Sequence, residues 1–218
     1  MLKVPDKRLA LQAYEAVLGL ILSGEARPGD LVNERQIAET LSMSRTPVRD
    51  ALLMLEGEGL LVRQGKRGMQ VKQTRIEDYL EALQVRMLLE PEVSRMAAGN
   101  VPAAELDSLQ ALLEALLDTK QNRGDVDRAL VRSVDERLHG LIADASGNQR
   151  LSSIIRTLRR QTQIFDLRSV PERFEDTCRE HLEIVAALRE KDGQRAAGSM
   201  SRHLERVRAS IINRLTMS

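Results

Sequence analysis

The helix that decides the fold begins with the stretch Ser44-Arg45-Thr46-Pro47-Val48-Arg49-Asp50-Ala51-Leu52 and is predicted to end near residue 58. Pro47 is tolerated there because the first turn of a helix has no intrahelical acceptor for its backbone N–H groups. Apolar residues recur at helical spacing and form a predicted buried stripe of Val48, Ala51, Leu52 and Leu55. Arg45 and Arg49 are therefore left together on the opposite face, where a partner can reach them.

A shorter helix is predicted just before this one. Asn33 and Gln36 have the spacing of a capping box, which marks a helix start. The inner face of this helix consists of Ile37, Ala38 and Leu41. Two helices joined by a turn of three or four residues form a helix-turn-helix, whose second helix enters the major groove of DNA. The pattern places Arg45, Thr46 and Arg49 at or near the N-terminus of that second helix.

Two strand-like segments follow, at 60–64 and 69–73, around the sequence Gly65-Lys66-Arg67-Gly68. The glycines allow the chain to reverse and its backbone to approach another molecule closely. Lys66 and Arg67 supply charge for phosphates or for a narrow minor groove. The segment is therefore predicted to be the wing of a winged helix. The alternative is a solvated β-turn with two ordinary surface cations.

Residues 8–73 resemble the winged-helix domain of the GntR family of bacterial transcription regulators. The run at 44–52 is the most specific part of the resemblance. The other matching runs are Pro28-Gly29-Asp30-Leu31, Glu34-Arg35-Gln36-Ile37-Ala38, Leu55-Glu56 and Gly59-Leu60. The resemblance implies double-stranded operator DNA as the partner, with contacts from Arg35, Ser44, Arg45, Thr46 and Arg49. It also implies that the wing, with Lys66, Arg67 and Gly68, enters the minor groove.

Composition excludes several other classes of protein. The chain has 218 residues, of which 42% are apolar, with two Tyr, two Phe and no Trp, so we predict a mostly α protein with a real core. The single cysteine, Cys178, excludes an intramolecular disulfide framework and fits a reducing compartment. No apolar run approaches the ~20 residues that span a bilayer. We therefore expect a cytoplasmic protein with no membrane partner.

The charge divides unevenly along the chain. Residues 1–75 hold 12 Lys and Arg against 9 Asp and Glu, a net charge of +3, whereas residues 76–218 hold 21 against 23, a net charge of −2. We predict a winged helix-turn-helix DNA-binding domain over 1–75 and a metal-binding, effector-binding and dimerisation domain over 76–218. Six helices are predicted in the second domain, at 77–98, 102–122, 125–145, 148–168, 171–191 and 193–216. They indicate an all-α bundle.

All three histidines lie in the second domain. Asp135 and His139 are four residues apart on one helix, so their side chains share a face. His181 and His203 are equidistant from residue 192, in the turn between the last two helices, so an antiparallel hairpin brings them level. Three histidines and a carboxylate suit a divalent transition metal, Zn²⁺ first and Ni²⁺ or Mn²⁺ as alternatives. The competing interpretation is that each histidine is a packed or surface residue.

The second domain resembles the C-terminal domain of the FadR subfamily of GntR regulators. The matching residues are Asp135-Glu136-Arg137-Leu138-His139, Ser146-Gly147-Asn148, Glu180-His181 and His203-Leu204. In metal-binding members, the positions of Asp135, His139, His181 and His203 are the ligands, and six helices are similar to the VanR-type branch. Arg86, in a run that matches a subfamily motif, is the candidate to hold an organic acid effector. Its alternative role is an ion pair with Glu90, four residues on.

These features predict a metabolite-responsive transcription regulator, most simply a repressor. A homodimer would place two winged helices on a palindromic operator, and a small carboxylate at the metal would change operator affinity. One alternative is a direct metal sensor with no organic effector. A metallohydrolase, in which the open metal activates water, is the other alternative, but it would leave the winged helix unexplained.

Overall fold

The computed structural model describes residues 7–123, 126–166 and 173–216. The chain divides into two compact units. The first consists of Met1–Tyr79 and Arg160–Ser169, and the second of Leu80–Arg159 and Val170–Ser218. Two helices therefore contribute residues to both units. The domain boundary suggested by the sequence, between residues 75 and 76, stays a prediction.

Three helices form the frame of the first unit. They are α1 (Lys7–Ser23), α2 (Glu34–Thr40) and α3 (Arg45–Gly57). The capping residue of α2 is Asn33, as its spacing predicts, because its Oδ1 accepts the backbone N–H groups of Arg35 and Gln36 at 3.0 and 3.1 Å. The predicted stripe of α3 is buried, with Val48, Ala51 and Leu55 fully inaccessible. The two polar faces of α2 and α3 remain on the outside.

A small sheet completes the first unit. Its strands are β1 (Leu31–Val32), β2 (Leu61–Arg63) and β3 (Met69–Val71), in the order β1-β3-β2 and antiparallel throughout. Leu61 lies opposite Val71, which fixes the register of the predicted hairpin. The sequence did not predict β1, because two residues are too few to show the alternation of a strand.

The wing is a single 3₁₀ turn, Gly65–Arg67, between β2 and β3. The backbone N–H of Gln64 donates to the carbonyl of Gly68 at 2.8 Å and closes the reversal. Gly68 has a φ of +101°, a conformation that favours glycine over residues with a side chain. The side chain of Lys66 lies outside the described part of the chain.

Within its described residues, the second unit is built from six α-helices, as predicted. They are α4 (Ile76–Ala97), α5 (Ala103–Arg123), α6 (Arg128–Ala145), α7 (Gln149–Asp166), α8 (Phe174–Arg189) and α9 (Gly193–Thr216). The first residues of α4 and the last of α7 belong to the first unit. The predicted breaks at Gly124 and Val170-Pro171 lie outside the described residues. The class is mostly α, as the composition indicates.

The pairing of α8 with α9 positions the centre of the second unit. Lys191 takes a left-handed conformation, with a φ of 58°, and Asp192 Oδ1 caps α9 by accepting the N–H of Arg195 at 2.9 Å. Helix α8 packs against α9 on one side and against α5 on another. At Gly193 a Cβ atom would lie 2.9 Å from the carbonyl oxygen of Arg95, so glycine permits α9 to begin against the end of α4.

The end of α7 is part of the first unit, where it contacts the residue that follows α3. Arg160 NH1 donates to both carboxylate oxygens of Glu58, at 2.9 and 3.0 Å. Gln161 Nε2 donates to the backbone carbonyl of Glu58 at 2.7 Å. The hydroxyl of Tyr14, on α1, donates to the same carboxylate at 2.8 Å. Glu58 therefore ties α1, α3 and the end of α7 together.

Candidate functional site

The residues predicted to read DNA lie on the outer ends of α2 and α3. Arg45 and Arg49 point away from the core, with 64% and 62% of their side chains exposed. Ser44 caps α3 by backbone geometry, and both Ser44 and Thr46 are exposed. Arg35, the second residue of α2, is also exposed and pairs with Glu39 at 2.8 Å. The structure therefore gathers the cations of the two helices on solvent-facing positions.

The wing residues are also exposed. Arg67 and Gly68 are exposed at the turn between β2 and β3. The roles proposed for them, and for Lys66, stay predictions. The geometry is compatible with a minor-groove contact because a glycine-bounded turn carries little bulk beside its charge.

Three imidazoles meet in the interior of the second unit. His139 from α6, His181 from α8 and His203 from α9 are all at most 3% exposed. Their ring centroids are 4.7–5.4 Å apart, and one nitrogen from each lies within 4.8 Å of the others. The hairpin of α8 and α9 thus brings its two histidines together, as the equal spacing about residue 192 predicted.

Two of these rings have a buried nitrogen with no hydrogen-bond partner. Among the described residues, Nε2 of His139 and Nε2 of His181 are inaccessible and unpaired. A buried polar atom without a partner is costly, and most such atoms in folded proteins are satisfied. Both unpaired atoms are imidazole nitrogens that can coordinate a cation. The residues present therefore fit a metal ion.

Asp135 lies beside two of the three histidines. Its Oδ1 is 3.8 Å from Nε2 of His139 and 3.6 Å from Nε2 of His181. This places a carboxylate oxygen next to both of the unpaired nitrogens. The four residues predicted as ligands are thus collected in one region, although their role as ligands stays a proposal.

Two buried glutamates hold the outer nitrogens of the cluster. Glu90 Oε2 is 2.5 Å from Nδ1 of His139, and Glu180 Oε2 is 2.8 Å from Nδ1 of His203. A carboxylate on one ring nitrogen fixes the orientation of the ring and leaves the other nitrogen to act as a ligand. Neither glutamate was predicted from the sequence to have this role. The available signal was the presence of acidic residues among the buried positions of α4 and α8.

Arg159, on α7, was also missed. It is 2% exposed and donates to Asp135 Oδ2 at 2.5 Å and to Glu136 Oε2 at 3.1 Å. It follows the buried Ile155 by four residues and precedes the buried Thr162 by three, so it occupies a position of the helix stripe that normally holds an apolar residue. A cation in that stripe was the sequence signal for a buried carboxylate partner.

The electrostatics favour the neutral form of His139 and His181 and the ionised form of Asp135. Burial lowers the pKa of His139, and Arg159 lowers it further. Burial likewise holds the pKa of His181 well below its usual value, with His203 adding to the effect. Burial alone would raise the pKa of Asp135, but Arg159 and the nearby imidazoles lower it overall. Neutral imidazole and ionised carboxylate are the forms that bind metal ions.

Arg86, the candidate effector residue, is buried within the second unit. Its Nε donates to Glu90 Oε1 at 2.6 Å, and the two side chains are 7% and 3% exposed. This is the ion pair that the sequence offered as the alternative. Through Glu90 the arginine is connected to His139, so it lies one residue away from the histidine cluster.

The only cysteine, Cys178, is buried on α8 and should be unreactive. Burial raises the pKa of its thiol to about 11. We expect iodoacetamide at pH 8 to alkylate the native chain about 100-fold more slowly than the urea-unfolded chain, since little thiolate forms. The difference should narrow as the pH approaches the raised pKa. Mass spectrometry of timed samples measures both rates, and equal rates would contradict the burial of this thiol.

A winged helix joined to an all-α unit with a central histidine cluster defines a class of protein, the bacterial DNA-binding regulators. Residues 9–71 match the family described as bacterial regulatory proteins, gntR family, and residues 81–206 match the FCD domain. The chain belongs to the GntR family, with the winged helix and FCD domain of its FadR-type members. It is a DNA-binding transcription regulator, and FCD domains often bind metal.

The chain is similar over most of its length to known regulators. It is 30% identical over 223 residues to the regulator YcbG of Bacillus subtilis (strain 168), and the alignment covers 96% of this chain and 92% of YcbG. It is 25% identical over 215 residues to the transcriptional repressor RspR of Escherichia coli (strain K12), and the alignment covers 95% of this chain and 90% of RspR. The structure of E. coli McbR/YncC has the same fold, with a TM-score of 0.80, 23% identity and coverage of 95% and 98%.

These comparisons decide between two of the function classes. The matched families and relatives are transcription regulators, which argues against the metallohydrolase alternative.

In the described residues, no helix has both the length and the apolar character that a membrane crossing requires.

Proposed function

We propose that the chain is a metabolite-responsive repressor. It binds a palindromic operator as a homodimer, and a small organic acid at a metal ion in the second unit changes its affinity for that operator. The proposed DNA contacts are Arg35, Ser44, Arg45, Thr46, Arg49, Lys66, Arg67 and Gly68. The proposed metal ligands are Asp135, His139, His181 and His203, with Zn²⁺ as the first choice of ion. The similarity to RspR, which is named a repressor, supports the sign of the regulation.

The observation that carries the metal part is the pair of unpaired, buried Nε2 atoms on His139 and His181. A metal held there would act as a Lewis acid toward an anionic ligand. With four protein ligands, Zn²⁺ would have to expand its coordination to take a carboxylate, whereas Mn²⁺, which prefers six ligands, would keep two positions for water or a carboxylate. This chain's own contribution is to orient the rings through Glu90 and Glu180 and to hold Asp135 through Arg159.

Arg86 is proposed to bind the far end of the organic acid. The Arg86 Nε donates to Glu90 Oε1 at 2.6 Å, so the same guanidinium would join the effector to Glu90. Glu90 would then connect the effector contact to His139, whose Nδ1 it also bonds. An effector that binds Arg86 would therefore also affect the position of His139, a proposed metal ligand.

The proposal is tested by selecting duplexes from a random-sequence library with the full chain. We expect the selected sequences to contain an inverted repeat. Affinity for the selected duplex is then measured after chelation, with Zn²⁺ alone, and with Zn²⁺ plus each of a panel of small mono- and dicarboxylic acids. A fall in affinity with an acid only when Zn²⁺ is present supports the proposal. A change with Zn²⁺ alone that no acid modifies would indicate the direct metal sensor, and no change in any condition would contradict both.

Replacement of Arg45 by alanine should weaken binding to the selected duplex by about 1–3 kcal/mol, because one arginine can bond both O6 and N7 of a guanine. Discrimination should be lost at one base pair in each half-site. Fluorescence anisotropy on duplexes with single base changes measures both effects. Arg27→Ala is the control, since it removes the same charge from an exposed turn of the first unit. Equal losses for the two variants would show that Arg45 contributes only charge.

A further inference from the structure

A carboxylate lies between the two exposed arginines of α3. Glu34, the first residue of α2, accepts the Nε of Arg45 at 2.9 Å on its Oε1. The same carboxylate accepts from Arg49, through Nε at 3.3 Å and NH2 at 3.2 Å. Glu34 is only 21% exposed, whereas the arginines on either side are about three times as accessible. One acidic side chain from the first helix of the helix-turn-helix thus holds both cations of the second.

This position is costly for a surface that only attracts phosphates. Attraction to DNA is dominated by positive charge, so a carboxylate at the centre of the surface lowers affinity for any duplex. Glu34 stays ionised there: burial, the largest single effect, would raise its pKa, but the bonds from Arg49 and Arg45 together lower it. Arg45 and Arg49 are four residues apart on one helix and repel each other when unbridged. The carboxylate removes that repulsion and fixes where the two guanidiniums lie.

Glu34 accepts hydrogen bonds from the Nε side of both arginines. Arg45 reaches Glu34 through Nε alone, and within the described residues its two terminal nitrogens make no hydrogen bond. These are the paired donors that match O6 and N7 of guanine. Arg49 uses Nε and one N–H of NH2 on Glu34, which leaves three of its five N–H donors, two on NH1 and one on NH2. Holding the inner nitrogens reduces the side-chain entropy lost when the outer ones bind a base.

We propose that Glu34 is a positioning residue for sequence recognition: by holding the Nε side of Arg45 and Arg49 it presents their outer N–H groups to the bases, and it lowers affinity for DNA of the wrong sequence. The inference rests on the proposed DNA contacts of α3. It goes beyond them by assigning discrimination to a residue that repels the phosphate backbone.

Two substitutions separate the charge of Glu34 from its reach. Glu34→Ala removes both, so the ratio of affinities for the selected duplex and a scrambled duplex should fall at least about tenfold, while affinity for the scrambled duplex rises. Glu34→Asp keeps the charge but shortens the side chain by one methylene. Its ratio should also fall, without the rise in non-specific affinity. Glu25→Gln is the control, since it removes one negative charge from an exposed position that pairs with neither arginine.

A spectroscopic measurement without DNA tests the positioning directly. In the wild-type chain, the ¹⁵Nε–H signals of Arg45 and Arg49 should be protected from exchange with water, and Glu34→Ala should abolish the protection. The signal of Arg35 should not change, because its Nε is bonded to Glu39. Thermal unfolding of each variant identifies any loss of folding, and Glu34→Asp retains the charge at the start of α2 that favours the helix.

The outcomes distinguish this inference from the proposed function. If the wild-type chain enriches no sequence, the proposed function is wrong. If it enriches an operator but both Glu34 variants keep the wild-type affinity ratio, the positioning role is wrong. A loss of discrimination confined to one C·G pair, with the arginine signals still protected, would also overturn it, because Glu34 would then be reading cytosine N4 itself.

Discussion

Replacement of Arg86 by methionine is expected to lower the free energy of unfolding by about 3–5 kcal/mol, the usual cost of removing one partner from a buried ion pair. Arg86 and Glu90 are 7% and 3% exposed, and Glu90 Oε1 accepts the Arg86 Nε at 2.6 Å. Methionine fills much of the space but leaves the Glu90 carboxylate buried, with its Oε2 2.5 Å from Nδ1 of His139. Urea unfolding monitored by circular dichroism gives the difference.

Helix α4 provides a matched control. Arg95 and Glu92 form an ion pair at 2.6 Å, but their side chains are 47% and 54% exposed. Arg95→Met should therefore lower the free energy of unfolding much less than Arg86→Met does. The double variant Arg86→Met, Glu90→Gln should recover part of the loss, because no uncompensated charge remains. If the free energies of unfolding of Arg86→Met and Arg95→Met differ by less than about 1 kcal/mol, the buried ion pair does not stabilise the second unit.

Replacement of His181 by alanine should reduce Zn²⁺ affinity by at least about 100-fold. Replacing even a residue that only hydrogen-bonds a metal ligand reduces affinity about 10–100-fold. His181 supplies one of the two unpaired buried nitrogens and lies 3.6 Å from Asp135. In the wild-type chain, Zn²⁺ at about 100 times its dissociation constant should add about 2.7 kcal/mol of stability, and at the same Zn²⁺ concentration this increment should fall to about 0.4 kcal/mol or less in the variant. Competition with a fluorescent chelator and thermal unfolding measure the two quantities.

Two further variants calibrate that result. Glu90→Gln keeps a hydrogen bond to His139 but holds the ring less firmly. Its Zn²⁺ affinity should therefore fall by about 10–100-fold, the usual effect of replacing a residue that hydrogen-bonds a metal ligand. Cys178→Ser removes the only thiol of the chain, which lies on the same helix as His181, and should bind Zn²⁺ as the wild type does. Undiminished Zn²⁺ binding by His181→Ala would mean that the histidine cluster is not the metal site.

Much of the fold follows from local patterns in the sequence. The stripe from Val48 to Leu55 and the cap at Asn33 define α2 and α3, because apolar spacing and capping are properties of neighbouring residues. The same applies to the six helices of the second unit. The strand Leu31–Val32 was not predicted because its formation depends on pairing with β3, which is distant in sequence.

The candidate site was predictable only in part for the same reason. Asp135 and His139 share a helix face, and His181 and His203 are symmetric about one turn, so simple geometry brings them together. Glu90 and Arg159 reach the cluster from helices whose packing no local pattern specifies. Glu34 is similar: its sequence position shows a helix start, but only the crossing of two helices shows that it bridges two arginines.

The sharing of α7 between two compact units limits how this regulator can be engineered. The carboxylate of Glu58 and its backbone carbonyl are bonded by Arg160 and Gln161, which are remote in sequence from the winged helix. A chimera that joins only residues 1–79 to a foreign sensor domain would therefore lack two native partners of Glu58, the residue that follows α3. The DNA-binding unit is not a contiguous cassette, and a graft that preserves it must also carry the end of α7.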